Sequence, residues 1–308
     1  MIWVLGVLIV VAAIPVVIER RRSRMSTQIR QNAPGQFATL SLGLTHYQWI
    51  GPIRGPVAVC VHGLTTPSFV WQGLASGLSA MGYRVLVYDL YGRGYSDRPT
   101  GEQNQDFFVN QLEELLADQN VDDDFTLIGY SMGGAIATAF ASQYPNRVRQ
   151  LVLLASAGLN TDFGRLTEII QKVPLIGDWL MLACFPVLHR RTARAEIGQP
   201  SSVPDISNLM QNELRYQGYV PAVLAALRGI LTKDMSQDLQ KVHRAGVPLL
   251  AVWARHDTTI PLSSLGRLTT VSRSAKQEVI DDAGHGLVYT HTDAVLDALR
   301  ETLQDGLN

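Results

Sequence analysis

The chain has 308 residues, more than one ordinary domain needs and too few for two large ones, so one substantial core with a smaller insertion fits. Hydrophobic residues make up 46% and charged residues 17%, which excludes a disordered or fibrous chain and leaves a globular protein with an additional apolar part. A net charge of -1 and a pI near 6.7 exclude the electrostatic footprint of a nucleic-acid binder.

The apolar part comes first. Ile2 to Ile18 carry no charge, and at 1.5 Å per residue they predict a helix of roughly 26 Å, enough to cross a bilayer core. The arginines of Glu19 to Arg24 follow this run, whereas a secretory signal peptide carries its positive charge in front. Residues 1–24 therefore read as an uncleaved single-pass anchor with a basic flank, in contact with membrane lipid, and the positive-inside tendency puts the downstream domain on the cytoplasmic side. Residues 25–36, polar and containing Pro34 and Gly35, read as a linker.

The folded domain begins near Phe37. FATLSLGLTHYQWI, broken at Gly43, predicts an antiparallel hairpin, and five apolar runs follow: 56–63, 83–90, 125–130, 148–156 and 247–254. Continuous runs rather than strict alternation imply strands covered on both faces, hence an α/β fold with a mostly parallel sheet and helical crossovers. About ninety residues separate the fourth run from the fifth, far more than a crossover needs. Helix-compatible pieces at Phe163 to Lys172, Trp179 to Leu188 and Val220 to Leu231 make residues 159–242 a helical cap, dividing the core into 37–158 and 243–308. Cys60 and Cys184 lie in apolar stretches and read as small core residues, in agreement with a reducing compartment.

Gly129-Tyr130-Ser131-Met132-Gly133 stands directly after one apolar run and directly before a helix-compatible segment. A serine hydroxyl is a weak nucleophile, so it must stand on a sharp turn within reach of a base, and the flanking glycines clear that turn. Ser131 is the candidate nucleophile. An acid and a base are expected in loops after later strands: Asp257 follows the run ending at Ala254, and His285 lies between Gly284 and Gly286. An alternative reading makes Asp257 a turn or cap residue before Pro261. Amides of Met132 and Leu64 are the candidate oxyanion donors, Leu64 following His62-Gly63. His62 reads as a loop brace, and His46, His189, His243, His256 and His291 as packed or solvated residues. Asp281 and Asp282 read as surface residues, and the Asp89 to Ser96 segment as a structural turn lacking the Lys-Ser/Thr end of a phosphate loop.

In this order His62-Gly63, the Asp89 turn, GYSMGG, Asp257 and Gly284-His285 resemble the α/β-hydrolase superfamily across nearly all of residues 37–308. Within it the chain looks most like capped carboxylesterases and monoacylglycerol lipases, some of which carry an N-terminal membrane helix. Ala254 stands where many relatives have glycine. The resemblance implies hydrolysis of a small-molecule carboxylic ester through an acyl-enzyme, without metal or organic cofactor. Serine at the elbow argues against dehalogenases and epoxide hydrolases, whereas carbon-carbon bond hydrolases and cofactor-free perhydrolases share the same three residue types; a noncatalytic binding module is the reading from another class. The expected anchor, with Phe163, Leu166, Ile169, Leu175, Trp179 and Phe185 in the cap, points to a lipophilic acyl group.

Overall fold

A computed structural model describes residues 2–161 and 164–304. Along the chain run strands β1 (Gln36–Leu40), β2 (Gly43–Ile50), β3 (Val57–Val61), β4 (Arg84–Tyr88), β5 (Phe125–Tyr130), β6 (Val148–Leu154), β7 (Leu249–Ala254) and β8 (Lys276–Ile280). They form one sheet ordered β1-β2-β4-β3-β5-β6-β7-β8. The expected hairpin pairs β1 with β2 and adds β2 antiparallel to β4; every other pairing is parallel.

Helices α1 (Ile2–Arg20) and α2 (Thr27–Arg30) precede the sheet, while α3 (Gln72–Ala80), α4 (Gln105–Asp118) and α5 (Met132–Gln143) are the crossovers up to β6. Between β6 and β7 come α6 (Gly164–Lys172), α7 (Ile176–Ala195), α8 (Ile206–Glu213), α9 (Tyr219–Arg228) and α10 (Ser236–Arg244). The last are α11 (Ser263–Val271), α12 (Leu287–Thr290) and α13 (Thr292–Gln304).

The continuous apolar runs have the expected cause. Successive residues of a strand point to opposite faces, and here both faces are covered. Val59, Val61, Leu127 and Leu151 pack on the side of α4 and α5, whereas Ala58, Cys60, Ile128 and Val152 pack on the side of α3 and α13. Cys60 is fully buried and burial pushes its thiol far up; it and Cys184 are free.

From β3 the chain moves outward to β4 and then returns to the other side of β3 as β5. This reversal opens a crevice at the carboxyl ends of β3 and β5, where open α/β sheets bind ligands. Gly63-Leu64 and Ser131 follow those two strand ends.

The segment between β6 and β7 has a small core of its own, built from Met181, Tyr219, Val223 and Leu227 with Phe185 packed against it. Helix α7 continues through Pro186, which is buried within it. Phe163 lies outside the described residues.

The expected membrane anchor is overturned: among the described residues no helix is long and apolar enough to cross a membrane. The single-pass topology, the contact with membrane lipid and the cytoplasmic placement fall with it. The end of α1 is folded onto protein. Glu19 is buried, pairs with Arg22 at 2.7 Å and accepts from the Gly218 amide at 2.7 Å. Ser23 exchanges backbone bonds with Arg215 and Gln217 at 3.0 and 2.9 Å. The polar stretch 25–36 is likewise bonded to the domain, Arg30 donating to Asp97 at 2.5 Å and to the Tyr95 carbonyl at 2.9 Å.

Candidate active site

Ser131 stands between β5 and α5 with φ 54° and ψ -119°, a strained conformation for a residue with a side chain. Its backbone is held on three sides. The amide donates to Leu154 at 3.0 Å, and the carbonyl accepts from Gly134 at 2.9 Å and Ala157 at 3.0 Å. A Cβ at Gly133 would run into the Val61 carbonyl oxygen, and one at Gly63 would stand 3.3 Å from the Ser131 Cβ. The glycines therefore let the β3 loop and the elbow touch.

Three side chains from separate loops converge here. Ser131 Oγ lies 3.0 Å from His285 Nε2, and His285 Nδ1 lies 2.7 Å from Asp257 Oδ2. With Nδ1–H donating to the carboxylate, Nε2 is the acceptor for the serine hydroxyl. Asp257 also does what the turn reading expected, since its Oδ1 accepts from the Thr259 and Ile260 amides, each at 2.8 Å. One oxygen builds the turn and the other faces the imidazole. The buried Tyr130 hydroxyl donates to the His285 carbonyl at 2.9 Å, tying the elbow to the histidine loop.

Leu64 follows Gly63, which packs against Ser131, and Met132 is the first residue of α5, where helical N–H groups have no partner within the helix. The Leu64 peptide is oriented by its neighbours. Leu90 donates its amide to His62 Nε2 at 2.9 Å, which leaves Nδ1–H to donate to the Gly63 carbonyl at 2.8 Å. Across a trans peptide the carbonyl and the N–H point opposite ways, so fixing the Gly63 carbonyl also fixes the Leu64 N–H. Burial pushes His62 down to about 4, against the pull of Asp89, so it stays neutral at neutral pH. Fully buried Arg93 donates to the Leu64 carbonyl at 3.2 Å and to the Ala222 carbonyl of α9 at 3.2 Å, linking this loop to the inserted helices.

The Asp89 turn is a scaffold. The buried Asp89 carboxylate accepts from the Ser68 amide at 2.8 Å, the Tyr95 amide at 2.9 Å and His46 Nδ1 at 2.8 Å. The other His46 nitrogen meets the Pro34 carbonyl, so both ring nitrogens face acceptors. Burial works against charge on both residues, but their attraction prevails: His46 is raised and Asp89 is held far below the usual carboxylate range. His189 is packed, donating to the Met210 carbonyl at 2.9 Å, while His256 is exposed and Asp281 pairs with Arg255 on the surface. Asp282 is exposed, as expected, and stands with His291 on the lining of the cleft.

That cleft, about 560 Å³, opens over Ser131 and His285. Its walls include Leu64 and Met210 but also Thr65, Thr192, Thr258 and Glu196. None of Leu166, Ile169, Leu175, Trp179 and Phe185 is among the lining residues; Leu175 is 84% exposed and Phe185 packs in the insertion's own core. Tyr130, Tyr289 and Glu196 were missed from sequence. Tyr130 had a signal, being part of the elbow; Glu196, at the end of a long helix, had none.

The profile of the α/β hydrolase fold family matches residues 56–292, and the chain belongs to that family. It is 24% identical over 277 residues to an uncharacterized protein of Mycobacterium tuberculosis (strain ATCC 25618 / H37Rv), covering 86% of this chain and 80% of that one. A pimeloyl-[acyl-carrier protein] methyl ester esterase of Vibrio campbellii (strain ATCC BAA-1116) is 27% identical over 258 residues, covering 83% of this chain and 97% of the relative. Among solved structures, a thermophilic esterase from Thermogutta terrifontis superposes with a TM-score of 0.69 at 22% identity, covering 89% of this chain and 99% of that one.

Proposed function

We propose that the protein hydrolyses carboxylic esters through an acyl-enzyme. The observation that carries this reading is the unbroken chain from Ser131 Oγ to His285 Nε2 at 3.0 Å and from His285 Nδ1 to Asp257 Oδ2 at 2.7 Å. Ser131 attacks the ester carbonyl carbon as its proton passes to His285, and the carbonyl π pair moves onto oxygen, facing the Leu64 and Met132 amides. Collapse breaks the bond to the alcohol oxygen, which leaves with the proton from His285. Water repeats the sequence on the acyl-enzyme, giving up one proton to His285 and releasing the acid and free Ser131. Asp257 holds the imidazole in the tautomer that both steps require.

The segment 159–242 would act as a cap: Thr192, Glu196 and Met210 come from it and face the cleft. Of the apolar residues that favoured a lipophilic acyl group, the described ones lie off the cleft wall, which carries Thr65, Thr192, Thr258 and Glu196. The pimeloyl-[acyl-carrier protein] methyl ester esterase among the relatives supports the ester reading. A panel of p-nitrophenyl esters assayed beside a vinylogous diketone tests it. Ester turnover lost in Ser131→Ala is expected, and turnover of the diketone alone would overturn the proposal.

A further inference from the structure

The cleft wall opposite the catalytic loops is built by the end of α7. Thr192 and Glu196 stand one helical turn apart and both line the cavity, Glu196 being the residue that caps the helix. The Glu196 carboxylate accepts one hydrogen bond, from the Tyr289 hydroxyl at 3.1 Å. Tyr289 is itself fixed, its carbonyl accepting from the Ser202 amide at 2.7 Å.

Among the described residues that line the cavity there is no lysine or arginine, and Asp282 adds a second carboxylate at the rim. The carbonyl end of a twenty-residue helix adds partial negative charge at the same wall. Burial raises Glu196, with the Tyr289 bond working the other way, and Glu196 in turn contributes to the raised position of Tyr130, after burial, Tyr289 and Asp257. The negative wall is thus felt at the residue next to the nucleophile. A cation seated against Glu196 would supply what the protein omits, whereas a carboxylate there would be repelled.

We propose that Glu196 is a specificity-determining residue, and that this wall selects esters whose body carries a positively charged nitrogen over neutral and anionic esters of the same shape. The inference rests on the ester-hydrolase reading and names the substrate class of that same cleft. Glu196 touches the substrate's charged end, away from the bond that breaks, so the contact is equal in ground and transition state and the discrimination falls in KM.

Three acetate esters of matched size test it: acetylcholine, its neutral isostere 3,3-dimethylbutyl acetate, and 4-acetoxybutanoate, with p-nitrophenyl acetate as a reference for Ser131-dependent turnover. The expected order of kcat/KM is cation, neutral, anion, with steps of about tenfold that shrink as ionic strength rises. Glu196→Gln keeps an oxygen to accept from Tyr289, and it should bring the cation-to-neutral ratio close to one. Equal kcat/KM for the three esters, or an unchanged ratio in Glu196→Gln, would overturn the proposal while leaving the ester reading intact if p-nitrophenyl acetate is still cleaved. If no ester is turned over, calorimetric binding to Ser131→Ala decides. Binding of acetylcholine in preference to the neutral ester supports the selective wall; equal or absent binding refutes it.

Discussion

The Tyr130 hydroxyl donates to the His285 carbonyl at 2.9 Å, so the residue before the proposed nucleophile grips the backbone of the proposed base. Ser131 and His285 come from loops 154 residues apart, and this bond helps keep their side chains in register. Tyr130→Phe leaves the ring packed and removes only the tie, worth about 1 kcal/mol. The expected result in ester assays is a fall in kcat of several-fold with KM nearly unchanged.

His62 acts on the Leu64 amide through the Gly63 carbonyl. Removing the ring in His62→Ala leaves that carbonyl and the Leu90 amide without partners in a buried place, costing about 2 to 3 kcal/mol of stability. Denaturant unfolding should register that loss. A positioning role further requires kcat to drop by about 100-fold, as for loss of an oxyanion donor, in protein shown by circular dichroism to be folded. A variant that is destabilised yet fully active would show that His62 only braces the loop.

Gly133 separates the elbow from β3. A methyl group there would collide with the backbone oxygen of Val61, which has no flexible end to swing away. Gly133→Ala is expected to cost more than about 3 kcal/mol or to prevent folding, read as a large drop in thermal midpoint.

Glu213, on the inserted helix α8, accepts from the Gly94 amide at 2.9 Å, with Arg98 at 4.0 Å. Burial pushes its carboxyl up to about 7 from an ordinary 4.5, although Arg98 pulls it down. Between those values the unfolded chain gives up a proton that the folded protein keeps. The stability tied to this group is therefore complete below pH 4.5 and lost as pH rises through about 7. Glu213→Gln keeps an acceptor for Gly94 and should abolish on the order of 3 kcal/mol of that pH dependence, measured by chemical denaturation across the window.

Much of this was legible in the sequence, for physical reasons that can be named. The strands were visible because a sheet covered on both faces demands apolar residues at every position, as in Phe125 to Tyr130, all buried. The elbow was visible because tight backbone contact at Gly129 and Gly133 leaves no room for a Cβ. The apolar stretch from Ile2 misled, because its length suggested a bilayer while the partner of its end, buried Glu19 against Gly218, lies 199 residues away. Helical spacing does not say which neighbour a side chain meets: Phe185 packs against Tyr219 and is not on the cleft lining. Glu196 was invisible because its meaning depends on Tyr289 and on the absence of cations along a wall assembled from distant segments.

In the proposed mechanism Ser131 is a nucleophile activated by His285 and Asp257. Labelling the folded protein with a fluorophosphonate and locating the adduct by mass spectrometry tests this directly. One adduct per chain is expected on Ser131, absent in Ser131→Ala and formed much more slowly in His285→Ala and Asp257→Asn. Folded wild-type protein that takes no label, or an adduct that persists in Ser131→Ala, would contradict it.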